Sequence, residues 1–306
     1  MGTSSFAVPA LKALSSGGCE ILSVVTQPDR PAGRGLSPKS SPVKEEALKM
    51  GLQVFQPEKI RDPQAVETLR KLNPDLVVVA AYGQILPPAV LNIPKTACLN
   101  IHGSLLPKYR GAAPIHYAVM AGETDTGVTL IYMNEKMDEG DILLTKKTAI
   151  GARETTGELH DRLAGIGAEG LLEALELLGK GKAPRTPQDH SKATYAPTLK
   201  REQCRLDWGK SAAEVANQVR GLCPWPSAET RWNGLDLKVF TALPDPGGSQ
   251  ENIPGKVLSI GHEGVRVTAG KGSVLLTEIQ PPGKRRMSAH DFSLGHPNFK
   301  PGEILA

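Results

Sequence analysis

Residues 75–81 carry the sequence DLVVVAA, a continuous run of apolar and mostly β-branched side chains. Such a run predicts a strand of a parallel sheet covered on both faces, because a strand with one face in water alternates apolar and polar residues. Strands of the same kind are predicted at residues 20–26, 97–101 and 127–133. Helices are predicted at residues 6–15, 41–50, 61–72 and 155–178, the last beginning with the capping-box pattern Thr155-x-x-Glu158. The alternation of strands and helices predicts an open, mostly parallel α/β sheet.

The pattern changes after residue 179, where the first predicted domain (residues 1–179) ends. Residues 180–203 are rich in Gly, Pro and Lys, show neither helical nor strand periodicity, and predict a basic linker. Beyond the linker, a helix is predicted at residues 211–222, followed by short strands at 235–241, 255–259, 265–268 and 273–279. Short strands separated by Gly and Pro predict a small β-barrel domain over residues 204–306.

Composition argues against several classes of protein. The chain has 306 residues, enough for two ordinary domains, and a net charge of +4, which favours a nucleic-acid partner only weakly. Its four cysteines lie far apart without a C-x-x-C pair, which argues against a disulfide scaffold or a structural zinc site. No apolar run approaches the ~18 residues of a membrane span, and no signal peptide is recognisable. We therefore expect a cytoplasmic protein without metal or membrane attachment.

Residues 99–115, LNIHGSLLPKYRGAAPI, contain the most informative polar residues. Asn100 and His102 alternate on the predicted strand, so both side chains should point to the same face. Polar residues at the C-terminal end of a strand in an open α/β sheet lie where ligands usually bind. Taken alone, however, an Asn-x-His pair is more often a turn-forming asparagine and a buried, hydrogen-bonded histidine.

A second polar element, residues 137–142 (MDEGDI), follows the strand predicted at 127–133. Asp138 lies there in a glycine-containing turn, and a single acidic turn of this kind is usually a solvated loop. Together with Asn100 and His102, however, it completes a set of an amide donor, an imidazole and a carboxylate. Those three groups are what a site needs to bring an amine to a carbonyl carbon.

Both elements resemble the signature of the folate-dependent formyltransferase family. That family has an Asn-x-His strand, a Ser-Leu-Leu-Pro run, an Arg-Gly loop and a Leu-Asp-x-Gly turn, which match residues 100–102, 104–107, 110–111 and, with Met in place of Leu, 137–140. The resemblance implies a Rossmann-like sheet, 10-formyltetrahydrofolate as formyl donor, no metal, and catalysis by Asn100, His102 and Asp138. It also implies that the folate site is lined by Ser104, Leu105, Leu106 and Pro107.

The chemistry expected of these residues is direct transfer. The substrate amine attacks the formyl carbon, and Asn100 and protonated His102 donate hydrogen bonds to the oxyanion that develops; the loss of one such donor typically costs ~3–4 kcal/mol. Asp138 pairs with His102, stabilises its charged form and helps to carry the proton between the two nitrogens. No cysteine lies in these motifs, so covalent catalysis is not expected.

The formyl acceptor must be inferred from other segments, because the family shares this chemistry while its members formylate methionyl-tRNA, glycinamide ribonucleotide or nucleotide-linked amino sugars. Residues 26–44 form a long segment interrupted by Gly and Pro, in which basic residues outnumber acidic ones. The segment resembles the tRNA-contacting loop of the members that act on methionyl-tRNA, which implies tRNA contacts by Arg30, Arg34 and Lys39. The alternative is a flexible surface loop without such a role.

Residues 194–306 resemble the accessory domain of the same members, an OB-like barrel of a type that often binds nucleic acid. The similar motifs are Thr194-Tyr195-Ala196, Asp207-Trp208, Pro224-Trp225-Pro226 and residues 280–289 (QPPGKRRMSA). Lys284, Arg285 and Arg286 are expected to track phosphates. Trp208 and Trp225 are expected to serve packing rather than base stacking. The resemblance therefore favours initiator methionyl-tRNA as acceptor, for an enzyme expected to be a monomer.

Three other functions remain open at this point. An enzyme acting on a nucleotide-linked amino sugar would use the same donor and the same 104–111 run, but such members lack a loop like residues 28–35 (PDRPAGRG). A non-enzymatic folate or tRNA binder would not need an intact set of Asn100, His102 and Asp138. A nicotinamide-dependent dehydrogenase would need a G-x-G-x-x-G motif after its first strand, and none is present.

The N-terminal residues depart from the family pattern. A short apolar strand followed by Gly-Thr-Pro is typical of the family, whereas Met1 here directly precedes Gly2-Thr3, and Ser4 replaces the proline. We therefore expect the first strand of the sheet to be missing, which should leave apolar edges and backbone groups unpaired. The natural protein is then expected to begin a few residues earlier.

Overall fold

The computed structural model describes residues 1–32, 37–245 and 253–306. The chain divides into two units, of which the first comprises Met1–Pro114, Asp125–Ala149 and His160–Pro197, and the second Ile115–Thr124, Ile150–Leu159 and Thr198–Ala306. Most of the segment expected to be a linker thus belongs to the first unit. The reason is backbone pairing, since Thr186 exchanges hydrogen bonds with Ile142, and Ala196 with the Arg110–Ala113 segment.

The helices are α1 (Val8–Ser16), α2 (Pro42–Lys49), α3 (Pro63–Leu72), α4 (Pro88–Leu91), α5 (Pro114–Met120), α6 (Thr156–Gly179), α7 (Ala212–Leu222) and α8 (Ala289–Leu294). Polar side chains explain where several of them begin. The Ser41 hydroxyl accepts the backbone N–H of Lys44 (3.1 Å) at the start of α2. Thr155 and Glu158 bond reciprocally at the start of α6, as the capping-box pattern predicts. Within the described part of the chain, no helix is long and apolar enough to cross a membrane.

The first unit contains the strands β1 (Val24–Val25), β2 (Arg30–Ala32), β3 (Ser37–Lys39), β4 (Val54–Phe55), β5 (Leu76–Val79), β6 (Ala97–His102), β7 (Asp125–Tyr132) and β8 (Ile142–Ala149). Strand β1 pairs with β4 in parallel, β2 with β3 as a hairpin, and β5 to β8 form one sheet in chain order. Leu99 and Leu130 are fully buried on the central strands, as the continuous apolar runs predict.

The expectation of a mostly parallel sheet is wrong for two of the three strand pairs of this four-stranded sheet. Strands β5 and β6 are parallel, but β6 and β7 are antiparallel, and so are β7 and β8. Residues 133–141 alone connect β7 to β8, and this is too short for the crossover that a parallel pair needs. Strand β8 must therefore return alongside β7 in the opposite direction.

Residues 1–3 occupy the gap between β1 and β5. The N–H of Gly2 donates to the Val25 carbonyl (2.9 Å), and the N–H of Ala80 donates to the Met1 carbonyl (3.0 Å). Beside them lies a cavity of about 400 Å³, lined mainly by apolar side chains that include Leu11 and Val78. Burial in this environment lowers the pKa of the Met1 ammonium to about 6. The cavity therefore borders the residues that join β1 to β5.

The second unit contains β9 (Ala228–Trp232), β10 (Leu235–Asp245), β11 (Val257–Gly261), β12 (Gly264–Thr268), β13 (Ser273–Gln280) and β14 (Met287–Ser288). Their order is β11-β12-β13-β10-β9, with β14 added to β13, and every pair is antiparallel. Over the residues that the structure describes, this sheet stays open, so the predicted small β domain is confirmed but closure into a barrel is not.

The two tryptophan motifs of the second unit behave differently. Trp208 is 4% exposed, and its indole N–H donates to the Thr230 hydroxyl (3.0 Å), which confirms the packing role expected for it. Trp225 is 72% exposed, so the same expectation is wrong there. Pro224 and Pro226 lack backbone N–H groups, and the residues between α7 and β9 pair with no strand in this part of the chain. The Trp225 ring is therefore available to solvent.

Candidate active site

The three predicted catalytic side chains meet at the C-terminal end of β6. Asn100 and His102 lie on the same face of this strand, as its period of two requires. The amide nitrogen Nδ2 of Asn100 donates a hydrogen bond to Oδ1 of Asp138 (3.4 Å). Nδ1 of His102 lies 3.6 Å from Oδ2 of the same carboxylate. Asp138 belongs to the connection between β7 and β8. This connection starts beside the N-terminal half of β6, where the N–H of Met133 donates to the Cys98 carbonyl, and its turn then reaches back to Asn100 and His102.

The hydrogen bonds of His102 define the role of each ring nitrogen. Nε2 lies 2.9 Å from the carbonyl oxygen of Tyr109, and because a carbonyl can only accept, Nε2 carries a hydrogen. Nδ1 lies 3.6 Å from Oδ2 of Asp138, so the two ring nitrogens face a backbone carbonyl and a carboxylate. The imidazole is buried, so the neighbouring carboxylate is screened little by bulk water.

Asp138 is held in an uncommon backbone conformation. Its φ is +54°, in the left-handed region that Asp tolerates better than most residues. The N–H of Gly111 donates to Oδ2 (2.8 Å), which fixes one carboxylate oxygen. A Cβ atom on Gly140 would overlap the carbonyl oxygen of Tyr132, so the turn after Asp138 requires glycine at that position. The turn thus has a defined shape that aims the carboxylate at His102.

Arg110 and Gln188 support this turn and were not predicted as site residues. Arg110 is 2% exposed; its Nε and Nη2 donate to Oε1 of Gln188 (3.2 and 2.8 Å), and its Nη1 lies 3.2 Å from a carboxylate oxygen of Glu139. Gln188 in turn donates from Nε2 to the carbonyls of Asp138 and Gly140 (2.8 Å each). Gln188 lies in the segment predicted as a linker, where no local periodicity marks it.

Residues 104–107, predicted to line the folate site, form the turn that follows β6. The Ser104 side chain is fully buried and its hydroxyl donates to the Lys108 carbonyl (2.6 Å). Thr129 braces the same turn, donating to the Ser104 carbonyl (2.7 Å) and accepting the N–H of Leu106 (3.1 Å). Leu106 is buried as well, whereas Leu105 and Pro107 are only half-buried. A ligand beside this turn would therefore contact Leu105 and Pro107.

A cysteine lies on the same strand as the candidate catalytic residues. Burial raises the pKa of the Cys98 thiol to about 12, so this group stays protonated at neutral pH and is a poor nucleophile. Among the residues that the structure describes, no group of three or more His, Cys, Asp or Glu side chains has an arrangement suited to a metal ion. Cys98 is therefore not a candidate nucleophile at this site.

The predicted tRNA-contacting residues lie in both units. Arg30 and Lys39 face each other across the β2–β3 hairpin and are exposed, while Arg34 lies outside the described residues. Lys284, Arg285 and Arg286 of the second unit are also exposed, and the Arg286 guanidinium lies 3.5 Å from the centre of the Phe240 ring.

Comparison with known proteins assigns the N-terminal and the C-terminal parts of the chain to the same protein family. A model of the formyl transferase family matches residues 1–175, and a model of the formyl transferase C-terminal domain matches residues 198–297. The chain therefore belongs to the formyl transferase family.

Relatives that it matches over nearly its full length include methionyl-tRNA formyltransferases. The chain is 50% identical to the one from Moorella thermoacetica, with 100% of this chain and 97% of the relative covered. It is 48% identical to the one from Pelotomaculum thermopropionicum, with 97% and 95% covered. Among solved structures, the N-formyltransferase of Helicobacter canadensis, in complex with folinic acid and dTDP-3-aminofucose, aligns over 92% of this chain and 97% of its own. Its TM-score of 0.66 at 17% identity shows a shared fold.

Proposed function

We propose that the chain transfers the formyl group of 10-formyltetrahydrofolate to the amino group of initiator methionyl-tRNA, the modification that prepares this tRNA for translation initiation. The observation that carries the proposal is the convergence of Asn100, His102 and Asp138 at one strand end. The acceptor is supported by relatives named methionyl-tRNA formyltransferase that are 44–50% identical over nearly the whole chain.

The proposed reaction is direct attack by the acceptor amine on the formyl carbon. A carbon–nitrogen bond forms, and the carbonyl electrons move to oxygen. Asn100 directs one amide hydrogen to Asp138 and has a second for the oxyanion, and protonated His102 adds positive charge nearby. The intermediate collapses when the bond from the formyl carbon to the folate nitrogen breaks, and that nitrogen takes up the proton which the amine loses.

Asp138 is the proposed carrier of that proton. Its Oδ2 is already occupied by the N–H of Gly111 and faces His102, whereas the contact from Asn100 to Oδ1 is long (3.4 Å). Oδ1 is therefore the oxygen better placed to take the proton from the amine. The folate is proposed to lie against the half-buried Leu105 and Pro107, while Ser104 and Leu106 hold the turn from within.

The acceptor stem of the tRNA is proposed to be held by basic side chains of both units. Arg30, Arg34 and Lys39 of the 26–44 segment, and Lys284, Arg285 and Arg286 of the second unit, would contact phosphates without reading bases. Contacts of this kind release counterions, so transfer at subsaturating tRNA should weaken steeply as salt rises.

Replacing Asp29 by alanine is expected to raise the KM for tRNA by about three- to tenfold, the size of one or two lost hydrogen bonds. Asp29 anchors the base of the hairpin, since it accepts hydrogen bonds from Lys44 (2.6 Å), Gln56 (2.9 Å) and Ser40 (3.3 Å). The bonds from Lys44 and Gln56 also lower the pKa of the Asp29 carboxyl, so the anchor is ionised at neutral pH. Steady-state kinetics with varied tRNA would measure the change.

The matched control is Asp75→Ala, which removes the carboxylate of an exposed ion pair with Lys95 (2.9 Å). It should leave both KM values unchanged. An equal rise in the folate KM in Asp29→Ala would contradict a specific role of the hairpin in tRNA binding.

The proposed function is tested by mixing the purified full chain with 10-formyltetrahydrofolate and charged initiator methionyl-tRNA and following formyl-methionine formation. We expect transfer that is lost in His102→Ala. A dTDP-linked amino sugar serves as the competing acceptor, because the Helicobacter canadensis structure of the same fold was solved with dTDP-3-aminofucose. Formylation of the sugar and not of the tRNA would overturn the proposed acceptor while leaving the chemistry in place.

A further inference from the structure

We infer that Gln188 and Arg110 form a clamp that positions the Asp138 carboxylate for the reaction, which makes Gln188 a positioning residue for formyl transfer. This inference rests on the proposed function, since it assigns a role within the same site. It is carried by the hydrogen bonds that connect the two side chains to the 138–140 turn. The clamp is defined as these two side chains and the two carbonyls they hold.

Gln188 holds the turn from both ends. Its single amide nitrogen has two hydrogens, and both are used, one on the carbonyl of Asp138 and one on the carbonyl of Gly140 (2.8 Å each). The side chain is buried, so water does not compete for these bonds. Two carbonyls that flank Glu139 are thereby fixed relative to one another. This restrains the left-handed backbone of Asp138, which an L-residue adopts only at a cost.

Arg110 fixes the orientation of the Gln188 amide. A guanidinium has only donors, so the side of the amide it faces must be the oxygen, and Nε and Nη2 both donate to Oε1. The amide nitrogen is thereby directed at the two carbonyls. The buried charge of Arg110 is balanced by Glu139, which belongs to the turn itself. Nη2 also donates to Nδ1 of His190 (3.0 Å).

The clamp reaches the reacting groups through Asp138 and Gly111. Gln188 holds the backbone of Asp138, and Gly111, the neighbour of Arg110, holds its carboxylate. The 3.6 Å separation between this carboxylate and His102 depends on both. A misplacement of a reacting group by about 1 Å can cost about a hundredfold in rate. Loss of the clamp should therefore act on the chemical step rather than on substrate binding.

The test is Gln188→Glu, which keeps the length of the side chain and its pairing with Arg110 but has no N–H to donate. It places carboxylate oxygens against two carbonyls. We expect kcat to fall about ten- to a hundredfold, with both KM values changed less than twofold. Since Gln188 acts through Asp138, the same change in an Asp138→Asn background should cost less than about threefold. A full additional loss in that background, or a rise in KM without a fall in kcat, would overturn the positioning role.

Hydrogen exchange tests the clamp independently of activity. The N–H of Gly111 donates to the Asp138 carboxylate, so its protection reports whether that carboxylate stays in place. In Gln188→Glu, exchange at Gly111 should accelerate at least several-fold, while exchange at Ala113, whose N–H donates to the Ala196 carbonyl (3.0 Å), should not change. Unchanged protection of the Gly111 N–H against exchange would contradict the proposed clamp, whatever the activity of the variant. If exchange at Gly111 differs between Gln188→Glu and the wild type as expected, but the wild-type chain transfers no formyl group, only the proposed function is contradicted.

Discussion

Replacement of His102 by glutamine is expected to lower kcat for formyl transfer by about 10²- to 10³-fold, the range typical of lost electrostatic stabilisation of an oxyanion. The glutamine amide retains a donor for the Tyr109 carbonyl, which His102 bonds through Nε2 at 2.9 Å. It cannot take up a proton beside Asp138, where Nδ1 of His102 lies 3.6 Å from Oδ2. The substitution therefore removes the charge while it keeps a polar side chain in the buried position. Single-turnover formylation of methionyl-tRNA would measure the loss.

His160→Gln is the matched control, because His160 also lies next to a carboxylate, that of Asp161 (2.9 Å). It is not part of the Asn100, His102 and Asp138 cluster and should leave kcat within about twofold. Thermal unfolding of both variants would show whether either one is misfolded. A folded His102→Gln enzyme that keeps more than a tenth of the wild-type kcat would exclude His102 from the chemical step.

Replacement of Asn100 by alanine is expected to lower kcat by about 10²- to 10³-fold, as the loss of one oxyanion-hole donor does elsewhere. The isosteric Asn100→Asp change should be worse than alanine. It sets a negative charge beside the developing oxyanion and beside Asp138, which now lies 3.4 Å from the amide nitrogen. This order of activities separates stabilisation of the oxyanion from simple positioning of Asp138. Rates at saturating donor and acceptor would establish it.

Asn92→Asp introduces the same isosteric change at an exposed residue that ends α4, and it should leave the rate unchanged. Were Asn100→Asp as active as Asn100→Ala or more so, the amide would have no electrostatic role at the transition state. Asn100 would then serve only to hold Asp138, and the proposed oxyanion contact would have to come from another group.

The helices and the central strands were predictable because their determinants are local. The apolar run at residues 97–101 predicted β6, and the period of two on that strand put Asn100 and His102 on one face. The pattern Thr155-x-x-Glu158 predicted the start of α6, since a capping box closes within one turn. A role for Asp138 is predicted from its carboxylate together with Asn100 and His102, and from the resemblance of residues 137–140 to a family signature.

Some local patterns predicted the wrong arrangement. The run at 20–26 produced only the two-residue strand β1, since a strand extends only as far as its neighbour β4 pairs with it. The run at 127–133 predicts a parallel strand, yet β7 is antiparallel to β6, since apolar content on both faces does not specify strand direction. The motif Pro224-Trp225-Pro226 predicts a packing role for Trp225, but its side chain is 72% exposed.

The sequence by itself determined several helices and central strands, the polar pair on β6 and the family, because each depends on residues close together in the chain or on a recognisable run. Only the tertiary structure decided how the Asp138 turn is held. Gln188 lies 50 residues from Asp138 and 78 from Arg110 in the chain, and it bonds both. A single glutamine in a Pro- and Lys-rich segment carries no periodic signal, and its partners are set by chain folding alone. Burial then gives those hydrogen bonds their strength, because water is excluded from the groups they join.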